Sequence, residues 1–262
     1  MEVVGDLLAR TRRSRAAALV TGTGSERTYR DVITNAYKAA NVLRYLGARE
    51  GSTVAIAPEP RYHTVLAFLG GARLGARIRF DPDAGLDAGD RVVLVDADRA
   101  ATAEPRPGTN LAAFGGSPNR PGTTHWEAEL WSENPGTPPS TIGPDDPLLV
   151  DGDRTVTHAE LLAAASDVVT RFGLDDGSRV VVRTSFAAPG TIVAGVVAPL
   201  RSDGATVLVD AVRGDEPTAG TRDESTVDRE SRGDLAVVVS ADRGGPAVVP
   251  EPARIDPDDV VP

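Results

Sequence analysis

The chain has 262 residues, of which 40% are hydrophobic but only 4% aromatic, and its net charge is −10 with an isoelectric point near 4.8. That composition supports an α/β core of Val, Leu and Ala and argues against a nucleic-acid partner, because nothing lines up to neutralise phosphates along a strand. With no cysteine, disulfides, thiol catalysis and Cys metal sites are excluded. Lys38 is the only lysine beside many arginines. An acidic, lysine-poor surface suits a salt-rich cytoplasm, where ions screen its self-repulsion; a genome that favours Arg codons gives the same composition.

Residues 1–17 are expected to form an amphipathic helix with a basic end, Arg10 to Arg15. The start carries acid rather than the base of a signal peptide. Ala18-Leu19-Val20 reads as a strand and Gly22-Thr23-Gly24 as a turn. Thr28 and Asp31 suggest a helix cap, and Val32, Ala36, Ala39, Leu43 and Leu46 make an apolar stripe that Gly47 ends. Thr53 to Ala57 is the next strand, His63 to Leu74 a second helix, and Ile78-Arg79-Phe80 and Arg91 to Asp96 are further strands. Between Ala97 and Pro147 the chain is rich in Pro, Gly, Thr and Asn. A short helix from Thr124 to Trp131, with Trp126 and Leu130 on one side, is its only expected regular element.

The pattern then repeats. Thr157 and Glu160 have capping-box spacing, Leu161, Ala165, Val168 and Phe172 form the apolar face, and Gly173 ends it. Arg179 to Arg183 is a strand, Thr191 to Leu200 a helix that Pro199 should end, and Ala205 to Asp210 a strand. Gly47 and Gly51 recur as Gly173 and Gly177, and Gly75-Ala76 as Gly204-Ala205, at nearly the same displacement. The alternation predicts two tandem, similar α/β subdomains with mostly parallel sheets. By composition the divisions fall at 1–96 for the first, 97–147 for a connector, 148–243 for the second and 244–262 for an irregular tail. Residues Ala211 to Gly233 are charged and turn-rich, and Asp234 to Ser240 should be a strand. Thr191 to Leu200 falls far short of the roughly 20 residues of a membrane span, so a cytoplasmic protein without membrane contact is expected.

Several stretches resemble the N-terminal part of the adenylate-forming (AMP-binding) superfamily: acyl-CoA synthetases, nonribosomal-peptide adenylation domains and luciferases. Arg27-Thr28-Tyr29-Arg30-Asp31 with Leu46-Gly47, Gly51-Ser52-Thr53-Val54-Ala55-Ile56, Phe68-Leu69-Gly70 with Gly75-Ala76, and Pro199-Leu200 with Gly204-Ala205 carry the likeness. The resemblance implies a carboxylate attacking the α-phosphate of ATP, with a Ser/Thr/Gly-rich, lysine-ended loop holding phosphates between Leu149 and Thr157. That position holds Val150-Asp151-Gly152-Asp153-Arg154-Thr155-Val156 instead. Two accounts stand: the loop is deleted from a family segment, or residues 148–161 duplicate the opening motif. Ala187 stands where the family often has His, and the adenine-binding and ribose-binding motifs are not in the sequence. The expectation is a truncated, degenerate relative, of haloarchaeal type by composition, that ends before the family's C-terminal lid and its lysine.

By the same resemblance, Thr157 and His158 match the Thr-His that follows the family's loop. They are the candidate cofactor-binding residues, together with Asp210, which ends a strand where α/β sheets bind ligands. The alternative for His158 is an exposed helix start, and for Asp96 and Asp210 simple capping. Ser185 lacks the G-x-S-x-G setting of a hydrolase nucleophile. His63 and His125 lack partners at metal spacing. No catalytic residue, metal or resident cofactor is expected, with ATP and Mg entering only if the chain is part of a split ligase. A full-length synthetase or a small acyl or nucleotide ligand is the expected partner.

Overall fold

The computed structural model describes residues 1–83, 90–209, 233–239, 249–260 and 262. Its strands, in chain order, are β1 (Ala17–Val20), β2 (Glu26–Thr28), β3 (Thr53–Ile56), β4 (Arg77–Arg79), β5 (Asp90–Asp96), β6 (Asn110–Phe114), β7 (Thr124–His125), β8 (Pro147–Asp151), β9 (Arg154–Thr157), β10 (Arg179–Val182), β11 (Ala205–Leu208), β12 (Leu235–Val237) and β13 (Ala253–Ile255). The helices are α1 (Tyr29–Tyr45), α2 (Tyr62–Leu74), α3 (Ala97–Thr102), α4 (Trp126–Ser132), α5 (His158–Phe172), α6 (Pro189–Ile192) and α7 (Ala198–Arg201). No helix among the described residues is long and apolar enough to cross a membrane.

The chain divides into two units. The first comprises Met1–Arg13, Arg30–Pro58 and His63–Leu161; the second comprises Ser14–Tyr29, Glu59–Tyr62 and Leu162–Pro262. The first holds a seven-stranded sheet of order β7-β6-β5-β3-β4-β8-β9, parallel except for the β8–β9 pair. The second holds a six-stranded sheet of order β13-β12-β10-β11-β1-β2, parallel except for β1–β2. The expected α/β class with mostly parallel sheets is what the chain adopts.

The repeat is visible in strand order, since β5-β3-β4 corresponds to β12-β10-β11. Each repeat opens with an antiparallel hairpin, and the two hairpins trade places. The opening β1–β2 hairpin joins the second sheet beside β11, while β8–β9 joins the first sheet beside β4. Each hairpin covers an edge that a bare parallel strand would otherwise expose.

Local chemistry explains the shared elements. Val32, Ala36, Ala39, Leu43 and Leu46 of the first stripe are all buried, as are Leu161, Ala165 and Val168 of the second. Gly47 (φ +96°) and Gly173 (φ +64°) take the left-handed conformation. Past them Ala48 N–H donates to Leu43 O (2.9 Å) and Leu174 N–H to Val169 O (3.0 Å), the same six-residue closure at both helix ends. In the first unit α2 lies so close to α1 at Gly70 that a Cβ there would sit 2.8 Å from Ala39 Cβ and Ala40 N.

The structure corrects four expectations. The N-terminus is not one helix: Val4–Leu8 and Arg10–Arg12 are 3-10 turns before strand β1. Gly5 weakens a helix there, and Asp6 Oδ2 takes the amides of Glu2 (2.8 Å) and Val3 (3.2 Å) for a single turn. The stretch 97–147, expected as a connector with one short helix, carries that helix as α4 but also α3, β6 and β7, and adds two strands to the first sheet. Proline content misled because the prolines lie between these elements. Pro199 does not end its helix. Pro189–Ile192 is α-helical, Val193–Val197 widens into a π-turn, and Ala198–Arg201 continues as α-helix. Pro199 has no N–H for a bond four residues back; the turn widens, and Thr206 Oγ1 donates to Gly195 O at 2.8 Å. The tail 244–262 is not irregular throughout, since β13 pairs with β12 and Pro257–Asp259 forms a 3-10 turn. Of the expected strand Asp234 to Ser240, β12 is present. Ser240 and residues 210–232 lie outside the described residues.

Candidate functional site

The segment between Leu149 and Thr157 is the expected phosphate site, and it is a hairpin. β8 and β9 pair from Pro147–Thr157 to Asp151–Arg154, with a shift of register between Pro147 and Leu149. The connection turns at Gly152, whose φ of +57° suits a two-residue hairpin turn. The exposed turn presents the carboxylates Asp151 and Asp153 beside Arg154. A phosphate-binding loop needs free, converging amides and a cation; here the backbone is spent on the ladder and two carboxylates face the approach. Lys38 lies in α1, with Nζ donating to Leu130 O (3.1 Å) and Trp131 O (3.4 Å). This hairpin offers a triphosphate no lysine, and its two carboxylates would repel the phosphates.

Thr157 performs the capping that its spacing with Glu160 predicts. Its amide donates to Glu160 Oε2 (2.8 Å) and Glu160 N–H donates to Thr157 Oγ1 (3.2 Å). The Thr157 amide first, then its hydroxyl, holds the Glu160 carboxyl below its usual pKa. His158 is not an exposed helix start, being 0% accessible. Its Nδ1 accepts the amide of Val4 at 3.2 Å and its own N–H donates to Asp146 O at 3.2 Å. Burial lowers its pKa from 6.5 to about 4, against the opposing pull of Asp146 and Asp6. Asp210, the third candidate, lies outside the described residues. Asp96, which ends β5 of the first sheet, caps α3 by accepting the Arg99 amide at 2.9 Å. Ser185 Oγ accepts the Ala187 amide at 3.1 Å within its own turn.

Two features were not foreseen. At the carboxyl edge of the first sheet, His63 Nε2 and His125 Nε2 each stand 3.5 Å from one oxygen of Glu127, whose Oε1 also accepts the Gly115 amide at 2.6 Å. The His125-x-Glu127 spacing was the available signal, but His63 joins it only through the fold. Among the described residues, no group of three or more His, Asp or Glu is arranged to hold a metal. At the carboxyl edge of the second sheet, Arg183 makes a two-pronged pair with the buried Glu251, Nη2 to Oε1 at 2.6 Å and Nε to Oε2 at 3.1 Å.

The family model for AMP-binding enzymes matches residues 8–80. No curated protein matches the sequence. Among solved structures, the chain is similar to the anthranilate CoA ligase AuaEII in complex with anthranoyl-AMP at 18% identity and a TM-score of 0.73, covering 91% of this chain and 50% of that one. Apo MatB from Rhodopseudomonas palustris gives 15% identity and a TM-score of 0.69 over 91% and 49%. A Brucella canis acyl-CoA synthetase gives 18% and 0.70 over 90% and 47%. The chain therefore has the fold of the N-terminal part of AMP-binding enzymes and spans about half the length of the structures it matches.

Proposed function

We propose that this chain is an acyl-CoA synthetase-like protein that has lost ATP-dependent ligation and keeps a binding or accessory role. The β8–β9 hairpin carries the reading, with two carboxylates and no lysine where the family likeness places phosphates. We assign no catalytic residue and no resident cofactor. Thr157 and His158 serve the fold, as cap and as buried acceptor, rather than a nucleotide. The chemistry fits one of two partners: a full-length synthetase, or a small acyl or nucleotide ligand held without turnover. The acidic, lysine-poor composition supports a cytoplasmic, halophilic setting.

A split AMP-forming carboxylate–CoA ligase is the second reading, favoured by coverage of only about half of each CoA ligase matched. On that reading ATP and Mg would bind once a second chain supplied the remainder. A non-enzymatic acyl-CoA or nucleotide sensor is the third. Pyrophosphate release with ATP–Mg and a panel of carboxylic acids, run beside thermal unfolding, separates them. No release and no shift supports the accessory role, a shift without release supports the sensor, and release once the neighbouring gene product is added supports the split enzyme.

A further inference from the structure

His158 joins chain segments far apart in sequence. The N-terminal strap, residues 1–13, buries Val4, Leu7 and Leu8 almost completely in the first unit. Its anchor at the amino end is the bond from Val4 N–H to His158 Nδ1 (3.2 Å), between residues 154 apart. The main chain that carries the imidazole is fixed, since the backbone N–H of His158 donates to Asp146 O and that of Ala159 to Pro144 O (2.8 Å). Further along the strap, Arg10 donates to Pro135 O (2.7 Å) and lies 5.1 Å over the Tyr37 ring.

That bond exists in only one protonation state. An Nδ1 that accepts an amide carries no proton, so the ring is neutral and its hydrogen sits on Nε2. Nε2 is buried with no hydrogen-bond partner, so a second proton finds neither a free lone pair on Nδ1 nor water to solvate the charge. The geometry points to a proton-operated latch: neutral His158 holds the N-terminal strap against the first unit, and protonating its Nδ1 breaks the Val4 bond and releases residues 1–13. The charged groups that bear on the ring are Asp6, from the strap, and Asp146, from the segment before β8. Both favour the proton and burial opposes it, so the latch opens in acid rather than near neutrality. Glu160, on the same helix, is engaged with Thr157, and Arg73, near Gly5, lies over Tyr37.

The test is amide hydrogen exchange on the full chain from pH 7.5 to 4, corrected for intrinsic rates, comparing Val4 with the core amides of Leu19 and Val181. Protection at Val4 is expected to fall by about tenfold or more as the pH drops through the His158 titration, with core protection retained. His158→Asn places an acceptor near Nδ1 that does not titrate, and it should hold the strap throughout. Asp6→Asn should still release. Loss of strap and core protection together overturns the proposal, and so does release of His158→Asn at the wild-type pH or abolition of the response by Asp6→Asn. If His158→Asn does not fold, the imidazole proton resonances of wild-type His158 decide. They should titrate together with Val4 release, and a separate midpoint overturns the latch.

Discussion

Gly70→Ala is the perturbation that separates packing from function in the family-like Leu69-Gly70 stretch. Gly70 lies inside α2, where alanine gains about 1 kcal/mol of helix propensity over glycine. The added Cβ would sit 2.8 Å from Ala39 Cβ, 2.8 Å from Ala40 N and 2.9 Å from Ala39 C. Two of those atoms are backbone of α1, so no rotamer change relieves them and one helix must move. Overpacking of this kind costs typically about 1–3 kcal/mol. The steric loss offsets the propensity gain or exceeds it, and we expect a net destabilisation of up to about 2 kcal/mol with an unchanged urea m-value. Urea unfolding at neutral pH reads it. A variant stabilised by the full propensity gain would refute the reasoning, because the helices would then have room that the close approach denies.

The remaining expectations follow from the same contacts. His158 has a folded-state pKa depressed to about 4 from 6.5, so the unfolded chain binds the extra proton first. Its contribution is complete above pH 6.5 and is lost as the pH falls towards 4, roughly 3 kcal/mol in all. The wild type minus His158→Asn difference in unfolding free energy across that window measures it. Thr206→Val removes the hydroxyl that donates to Gly195 O beside the π-turn and should cost about 1–2 kcal/mol in thermal unfolding. Glu251→Ala strips the buried partner from Arg183. We expect about 3 kcal/mol, the low end for breaking a buried pair, because Arg183 keeps some contact with water.

What the sequence disclosed was local. Glycine caps, the Thr157–Glu160 box and the apolar faces of α1 and α5 depend on residues a few positions apart, and each stands where its spacing put it. What it withheld depended on distant pairing. No periodicity tells a hairpin to join the sheet of the other repeat, yet β1–β2 pairs with β11 and β8–β9 with β4. The proline-rich ends of both repeats concealed β6 and β13, which are strands only by pairing with distant neighbours, β6 with β5 and β13 with β12. The question of a deleted loop against a duplicated opening has a structural form: residues 147–157 are a hairpin that leads into a capped helix, as β1–β2 leads into α1. His158 was legible as a family match, but its burial was not, because the covering group is the amide of Val4. The meeting of His63 and His125 on Glu127 was hidden for the same reason.

We propose that the hairpin at Asp151-Gly152-Asp153 leaves the described residues without a nucleotide site. Thermal unfolding in molar KCl, with and without ATP–Mg and a short fatty acid, tests it most directly, because a ligand that binds the folded state raises the melting temperature by mass action. The account predicts a cooperative transition that ATP–Mg does not move. A rise of several degrees with ATP–Mg would contradict it and place a working nucleotide site in this chain.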